Sequence, residues 1–155
     1  MANIYLDTNI IFMLFENLAK ASKSKKIRKV QLPEVIKSLK SKRKHRYFVS
    51  TLTKVEVFRH LYSNFGIKRE KCKELWTYFT EFLKVGTLKE HSFDFDDIIK
   101  LVTAMPLKRT TIINIMHLMI AKKNRLILLT GDKGLIKLRD WYYKNIIDYK
   151  EFKNL

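Results

Sequence analysis

The 155-residue chain is predicted to fold as one α/β domain, residues 1–155, with a mostly parallel sheet covered by helices on both faces. Short apolar runs typical of buried strands alternate with segments whose apolar residues recur at helical spacing. The length fits a single domain, since domains usually contain roughly 100–150 residues. A hydrophobic content of 46%, with only four Gly and two Pro, excludes disordered and collagen-like chains, because enough apolar surface is present to offset chain entropy.

The N-terminal half is predicted to contain two strands and four helices. Short apolar runs bounded by polar residues favour strands, and apolar residues at every third or fourth position favour helices. Pro33 is acceptable in a first helical turn, where its missing N–H is not needed, and Gly66 is expected to separate two helices. The expected elements are a strand over Asn3–Leu6, a helix through Phe15, a helix over Gln31–Lys40, a strand over Tyr47–Ser50, a helix from Thr51 and another from about Lys68.

The C-terminal half continues the alternation. Asp94 is a plausible N-cap with Asp96 and Asp97 in the first turn, so this acidic trio indicates capping and not catalysis. Pro106 is expected to end that helix, and Thr110 or Thr111 to cap the next. The expected elements are a strand over Thr87–His91, a helix after Asp94, a buried helix over Ile112–Ala121, a strand over Arg125–Thr130, a short helix with Leu135, Leu138 and Tyr142, and a last strand near Asn145–Tyr149.

Composition also indicates the cellular compartment and the kind of binding partner. The chain has 32 Lys and Arg against 15 Asp and Glu, a net charge of +17 that attracts polyanions, of which nucleic acid is the commonest in the cytoplasm. The alternative is that the excess Lys only improves solubility. A single Cys, Cys72, and four His without zinc-ligand spacing favour a reducing, cytoplasmic setting. The longest apolar runs are shorter than the ~20 residues that span a bilayer, and no secretory leader is recognisable, so we expect no membrane segment.

Two acids follow predicted strands. Asp7 ends the first strand, and Asp132 comes two residues after the most apolar strand. In parallel sheets the site lies beyond the carboxyl ends of the strands, where the strand order reverses, and carboxylate oxygens suit Mg²⁺ or Mn²⁺. Each acid also has a simpler interpretation as the N-cap of the next helix. Glu56 also has a simpler interpretation, as the acid of an ordinary ion pair with Arg59 or His60.

Four segments, in order along the chain, resemble the motifs of the PIN domain family. They are Ile4–Asn9, Ser50–Glu56, Asn114–Ala121 and Leu129–Lys133, and the match spans residue 3 to about residue 149. The resemblance implies a PIN-like three-layer α/β/α sandwich and a Mg²⁺- or Mn²⁺-dependent ribonuclease, as in the toxin halves of VapBC-type toxin and antitoxin pairs. It also implies RNA as substrate, an antitoxin protein as a partner and a homodimer as the assembly.

The resemblance assigns a site at these motifs. Its acidic metal ligands match Asp7, Glu56 and Asp132, and its accessory polar residues match Thr8, Asn9 and Thr130. The implied reaction is hydrolysis of an RNA phosphodiester, in which a bound ion activates a water molecule and 5′-phosphate and 3′-hydroxyl ends result.

Asn114 departs from the family pattern, which usually has Asp at this position. The amide keeps a carbonyl oxygen for coordination but loses a full negative charge. Three carboxylates leave a charge of −1 around one divalent ion but +1 around two. We therefore expect one well-held metal, with a second arriving only with substrate phosphate, and we include Asn114 among the catalytic residues. His117, one turn later, is expected to be a buried structural histidine and not a proton carrier.

The attraction for RNA must come from outside the acidic site. The segment Lys20–Arg46 contains 12 Lys or Arg and one acid, Glu34, a local excess of +11. Clustered cations favour contacts with backbone phosphates. The same segment has two other interpretations, a solvated helical hairpin or a surface that meets an antitoxin. The cations expected to contact RNA are Lys23, Lys25, Lys26, Lys42, Arg43 and Lys44.

Two other functions remain open at this point. One is a catalytically weakened RNA-binding or assembly module, in which Asn114 replaces a needed acid. The other is a haloacid dehalogenase-like phosphatase, which also uses a carboxylate after its first strand. The opening motif of that family resembles Asp-x-Asp, and here position 9 is Asn, so the general acid that the reaction requires is missing.

Overall fold

The structure is a computed structural model that describes residues 1–24, 30–89, 93–104 and 110–155. Its centre is a five-stranded sheet in which every strand is parallel to its neighbours. The strands are β1 (Asn3–Leu6), β2 (Arg46–Ser50), β3 (Gly86–Leu88), β4 (Ile127–Leu129) and β5 (Ile146–Ile147). The predicted α/β class is confirmed, and the sheet is wholly parallel where the sequence indicated only a mostly parallel one.

Eight helices occur in the described part of the chain, and with the sheet they form a three-layer α/β/α sandwich. They are α1 (Thr8–Lys23), α2 (Glu34–Ser41), α3 (Thr51–Phe65), α4 (Arg69–Leu83), α5 (Phe95–Ala104), α6 (Ile112–Lys123), α7 (Lys133–Lys137) and α8 (Tyr149–Lys153). None of the helices described is both long enough and apolar enough to cross a membrane.

The central strand β1 shows why this sequence forms a buried sheet. Side chains of a strand alternate between the two faces, and in β1 both faces are apolar. Ile4 and Leu6 belong to the core that includes Phe15 of α1, whereas Tyr5 belongs to the opposite core, with Leu118 of α6. All three β1 side chains are fully buried.

The strand order, β3-β2-β1-β4-β5, determines where a site can form. From β1 the chain adds β2 and β3 on one side, and later β4 and β5 on the other. The order therefore reverses between β1 and β4, and the loops that leave their carboxyl ends diverge to leave a crevice. Asp7 directly follows β1, and Thr130 directly follows β4.

Three helices begin where the sequence predicted. Ser50 and Thr53 form a capping box at the start of α3, and Gly66 ends that helix in the left-handed conformation, with φ +63°. Thr111 caps α6 by accepting a hydrogen bond from the backbone N–H of Asn114. The Asp94 cap is also confirmed, because its Oδ1 accepts from the backbone N–H groups of Asp96 and Asp97.

Several element boundaries differ from the prediction. The last strand was expected near Asn145–Tyr149, but only Ile146–Ile147 pairs with β4, and Tyr149–Lys153 is helical. The reason is a second capping box, in which Asp148 and Glu151 satisfy each other's backbone N–H groups and start a helix. The strand expected over Thr87–His91 covers Gly86–Leu88, and both His91 and Pro106 lie outside the described residues.

Two predicted helices also shift at their ends. The helix expected over Gln31–Lys40 begins only at Glu34, because Pro33 takes the N-cap position with extended backbone. The short helix after Asp132 ends at Lys137, so Tyr142 lies beyond it.

Candidate active site at the carboxyl edge of the sheet

Asp7 lies buried at the point where β1 passes into α1. Only 1% of its surface is exposed, and its side chain makes no capping hydrogen bond with α1. Instead, Thr130 Oγ1 donates to Asp7 Oδ2 at 2.5 Å, and Asn9 Nδ2 donates to the same oxygen at 2.7 Å. The simpler interpretation of Asp7 as a side-chain cap is therefore wrong in this structure.

Burial raises the pKa of Asp7, and the nearby His117 and the Thr130 hydroxyl oppose that rise. No Lys or Arg of the described ranges forms an ion pair with this carboxylate. Asp7 is consequently a buried acid whose carboxylate accepts hydrogen bonds from neutral donors and pairs with none of the described Lys or Arg side chains.

Glu56 extends from the first half of α3 toward the start of α1. Thr8 Oγ1 donates to Glu56 Oε1 at 2.6 Å, and His117 Nε2 lies 2.5 Å from the same oxygen. His60, one of the two partners expected for an ordinary ion pair, lies 3.0 Å from Glu16 instead. Glu56 therefore faces the carboxyl edge of the sheet, as the resemblance implies.

A buried histidine and tyrosine support Glu56 from behind. His117 is fully buried in α6, as expected, and its Nδ1 lies 2.7 Å from the Tyr5 hydroxyl. The same hydroxyl lies 2.7 Å from Ser50 Oγ. In the neutral ring, a proton on Nε2 is donated to Glu56, and Nδ1 then accepts from the Tyr5 hydroxyl. Burial raises the pKa of Tyr5 well above its usual value, so this hydroxyl stays protonated.

The sequence interpretation missed this tyrosine–histidine network. Two signals could have pointed to it: a tyrosine in the middle of a buried strand, and a histidine in an otherwise apolar helix. A buried tyrosine hydroxyl and a buried histidine ring both need hydrogen-bond partners. A polar group is therefore expected next to each of them.

Asp132 has two roles in the structure, one at each oxygen. Oδ1 accepts from the backbone N–H groups of Gly134 at 2.6 Å and Leu135 at 3.0 Å, which caps α7. Oδ2 accepts from Asn114 Nδ2. The capping interpretation of Asp132 is confirmed. Its second oxygen faces Asn114, the position at which the third motif differs from the family pattern.

Thr130 joins the ends of the two central strands. Its hydroxyl donates to Asp7 and accepts from the backbone N–H of Asp132 at 3.0 Å. Asn9 reinforces the link, since its Oδ1 accepts from the backbone N–H of Gly131 at 3.0 Å. Asp7 and Asp132 are thus held near one another through a single hydroxyl.

The structure gathers all the predicted acids and their accessory residues at one edge of the sheet. They form two hydrogen-bonded groups that meet where Thr8 follows Asp7 in the chain. The first consists of Asp7, Asn9, Thr130, Asp132 and Asn114; the second consists of Thr8, Glu56, His117 and Tyr5.

The predicted RNA-contacting cations that the structure describes lie apart from these acids. Lys42, Arg43 and Lys44 precede β2 and therefore lie at the amino edge of the sheet, opposite the acids. Lys23 ends α1, roughly 22 Å along the helix from Thr8. Lys25 and Lys26 fall outside the described residues.

The donor set suits an oxygen-preferring cation, but the acids are not arranged around one point. Carboxylate oxygens are the ligands that Mg²⁺ and Mn²⁺ prefer, and a buried acid such as Asp7 is a charge that a cation would compensate. Across the described ranges, however, no group of three or more His, Cys, Asp or Glu side chains is placed to hold an ion. Each acid is turned toward its own hydroxyl, imidazole or amide partner.

The chain matches no protein-family profile and no curated protein. The geometry of the site and the four motifs are therefore the features that indicate a function.

Proposed function

We propose that the chain is a metal-dependent endoribonuclease that hydrolyses RNA phosphodiesters. One observation carries the proposal. Asp7, Glu56 and Asp132 lie at the same edge of the sheet, and none of them pairs with a described Lys or Arg, although the chain has 32 of these residues. Acids kept apart from so many cations indicate a site whose charge is compensated by a metal ion.

The residues that would hold the ion are Asp7, Glu56 and Asp132, with the Asn114 carbonyl oxygen as a neutral ligand. A bound Mg²⁺ or Mn²⁺ supplies Lewis acidity and an activated water for attack on the phosphodiester. Thr130 and Asn9 hold Asp7 in place, and the contacts described for the Glu56 carboxylate are all at Oε1. These contacts orient the acids, and none of the described Lys or Arg side chains pairs with them, so negative charge stays available for a cation.

The substrate and partner assignments belong to the same proposal. The net charge of +17 favours RNA, and the cytoplasm supplies it. The resemblance to the toxin halves of toxin and antitoxin pairs supports an antitoxin protein as a partner and a homodimer as the assembly.

A second candidate is a catalytically weakened RNA-binding or assembly module. The observation that favours it is the hydrogen bond from Asn114 to Asp132, which occupies an oxygen that a metal ion would need. A module of this kind would keep RNA affinity without turnover.

Cleavage of single-stranded or looped RNA separates the two candidates. The purified chain is expected to cut such RNA with Mn²⁺ or Mg²⁺, and EDTA is expected to stop the reaction. Asp7→Asn should abolish cleavage, whereas Asp140→Asn, which removes an exposed acid elsewhere, should not. Cleavage that survives both EDTA and Asp7→Asn would rule out the metal-carboxylate mechanism. RNA binding without cleavage at any metal concentration would favour the weakened module.

A further inference from the structure

A cavity of about 490 Å³ opens at the amino edge of the sheet, away from the candidate active site. It lies between the end of α2, the start of β2 and the end of α4. The four strand steps from Arg46 to Ser50 place it roughly 13 Å from the edge that carries the acids. The volume falls within the range of about 300–1,000 Å³ that is usual for small-molecule sites.

The lining of this cavity is strongly basic. It contains Lys40, Arg43, Arg46 and Lys84 and no acidic residue. None of these four side chains takes part in an ion pair among the described residues, and all four are exposed. Four like charges around one concave surface create a local potential that favours an anion.

A buried donor without a partner points to the same kind of ligand. His45 lines the cavity and is only 7% exposed. Its Nδ1 accepts from the backbone N–H of Ala2 at 3.1 Å, so in the neutral ring the proton is on Nε2. Nε2 is buried and has no hydrogen-bond partner within the described ranges. Buried donors are nearly always satisfied, and an acceptor oxygen is the group that this one lacks.

The ring of His45 remains neutral for a physical reason. Burial lowers its pKa, and the positive charges of Lys44, the chain N-terminus and Lys42 lower it further. The unsatisfied group is therefore an N–H donor in a neutral ring.

Lys84 provides a third indication. It has φ +53°, in the left-handed region, at the C-cap of α4, where Gly or Asn is the usual residue because a side chain is strained there. A strained residue beside a cavity suggests that its side chain is needed at that place. The conformation leaves its side chain among the residues that line the cavity.

We propose that this cavity binds the terminal phosphate of a nucleotide-sized ligand. The two arginines offer planar pairs of N–H donors that match phosphate oxygens, and Lys40 and Lys84 add charge. The ligand is either a free nucleotide or the 5′-terminal nucleotide of an RNA, because both present a phosphomonoester. This inference does not depend on nuclease activity at the opposite edge.

Binding measurements on the full chain test the proposal. AMP, adenosine, a short 5′-phosphorylated RNA and the same RNA with a 5′-hydroxyl are titrated separately by calorimetry. We expect the phosphorylated RNA or AMP to bind at least roughly tenfold more tightly than its unphosphorylated counterpart, the 5′-hydroxyl RNA or adenosine. A preference confined to AMP identifies a free nucleotide as the ligand, and one confined to the RNA pair identifies an RNA terminus.

Three variants tie the binding to the cavity. Arg43→Gln with Arg46→Gln should weaken phosphate binding at least roughly tenfold, whereas Lys68→Gln, at the other end of α4 and roughly 24 Å of helix from Lys84, should not. Lys84→Gly should raise the melting temperature, because strain is relieved, and still weaken binding. Opposite signs for stability and binding exclude a folding defect as the explanation.

Two outcomes would overturn the proposal. One is the absence of phosphate-dependent binding up to millimolar ligand. The other is equal binding of the 5′-phosphorylated and 5′-hydroxyl RNAs, with equal losses in Lys68→Gln and the arginine variant, which would make the region a general polyanion surface.

Discussion

Asn114 is the residue at which the site departs from the pattern of four acids, and its contact with Asp132 makes the effect of that departure testable. Asn114→Asp replaces a donor with a second carboxylate beside Asp132. In EDTA we expect the free energy of unfolding to fall by about 1–3 kcal/mol, because a hydrogen bond to a half-buried acid becomes a repulsion. With Mn²⁺ present, affinity for the ion and stabilisation by it should both increase.

Thermal melting and RNA cleavage across a Mn²⁺ titration measure these effects. Asn154→Asp, an exposed change of the same charge at the end of α8, is the matched control. It should leave metal affinity, metal-dependent melting and turnover unchanged. If Asn114→Asp also leaves metal affinity, metal-dependent melting and turnover unchanged, Asn114 is an ordinary amide and the match of α6 to the third motif is wrong.

Asp7 should destabilise the metal-free fold at neutral pH. Its pKa is raised in the folded state, so its contribution to stability is fully present below the unfolded pKa of about 3.9 and is lost as the pH rises through the folded value. Asp7→Asn removes the buried charge. In EDTA at pH 7 we expect its melting temperature to exceed that of the wild type by a few degrees, since about 1 kcal/mol corresponds to roughly 2–4 °C in a domain of this size.

The difference between the two melting curves should shrink toward zero as the pH falls below the unfolded pKa of about 3.9, where Asp7 is protonated in both the folded and the unfolded state. Differential scanning calorimetry at several pH values measures it. A wild type more stable than Asp7→Asn at pH 7 would show that the ionised carboxylate supports the fold, and a metal would not be needed to explain its burial.

At the scale of secondary-structure elements, two substitutions of Asp132 can distinguish its capping of α7 from a role in metal binding. Asn caps a helix about as well as Asp, whereas Ala does not. Asp132→Asn should therefore keep the free energy of unfolding within about 0.5 kcal/mol of the wild type, and Asp132→Ala should lose about 0.5–2 kcal/mol. Both variants should lose RNA cleavage, because both lack the carboxylate.

Chemical denaturation and a cleavage assay, run on the same preparations, distinguish the two roles. Asp148→Asn, at the cap of α8, serves as the control for exchanging one capping residue for another outside the site. Retained cleavage in Asp132→Asn would leave Asp132 with the capping role alone.

The Tyr5 hydroxyl connects three elements, since it lies 2.7 Å from both Ser50 at the start of α3 and His117 in α6. Tyr5→Phe keeps the ring in the core but leaves the buried Nδ1 of His117 without its donor. We expect a loss of about 1–3 kcal/mol in the free energy of unfolding, the usual cost of an unsatisfied buried polar group. Tyr78→Phe, at a position 39% exposed, should have no comparable effect in the same urea titration. Equal stabilities for the two variants would show that the hydroxyl network contributes little.

At the scale of the whole molecule, the acids lie apart from the cations of the basic segment Lys20–Arg46 that the structure describes, such as Lys23 and Lys42. If about five cations contact single-stranded RNA, log K should fall with log salt at a slope of roughly −3 to −4. Changing several of the predicted cations to Glu should flatten that slope. Because those that are described lie away from the acids, we expect the KM for RNA cleavage to rise while kcat stays near its original value.

The cations for this test are Lys23, Lys25, Lys26, Lys42, Arg43 and Lys44. A set of equal size that includes Lys137, Lys144 and Lys150, changed in the same way, controls for net charge. An unchanged slope in a folded variant would reassign the segment to a protein partner, and a large fall in kcat with an unchanged KM would place these cations at the reacting phosphate.

The sequence by itself determined the fold class and most of the elements. Apolar runs, helical spacing and caps are local signals, so β1, α3 and the start of α6 lie where the pattern predicts. The helix α8 was missed because the apolar residues near its start also fit a strand, and the capping box at Asp148 decided between them. The strand ends that carry Asp7 and Asp132 were also predictable, because in parallel sheets such ends share one edge.

Only the tertiary structure decided which groups contact one another. That Thr130 joins Asp7 to Asp132, and that His117 reaches Glu56, depends on strand order and on helix packing between residues far apart in the chain. The same holds for Lys42, Arg43 and Lys44, whose charge the sequence shows but whose position at the opposite edge follows from β2 lying parallel to β1. Local patterns depend on neighbours along the chain, whereas contact distances depend on how the whole core packs, and a single sequence records the first directly but not the second.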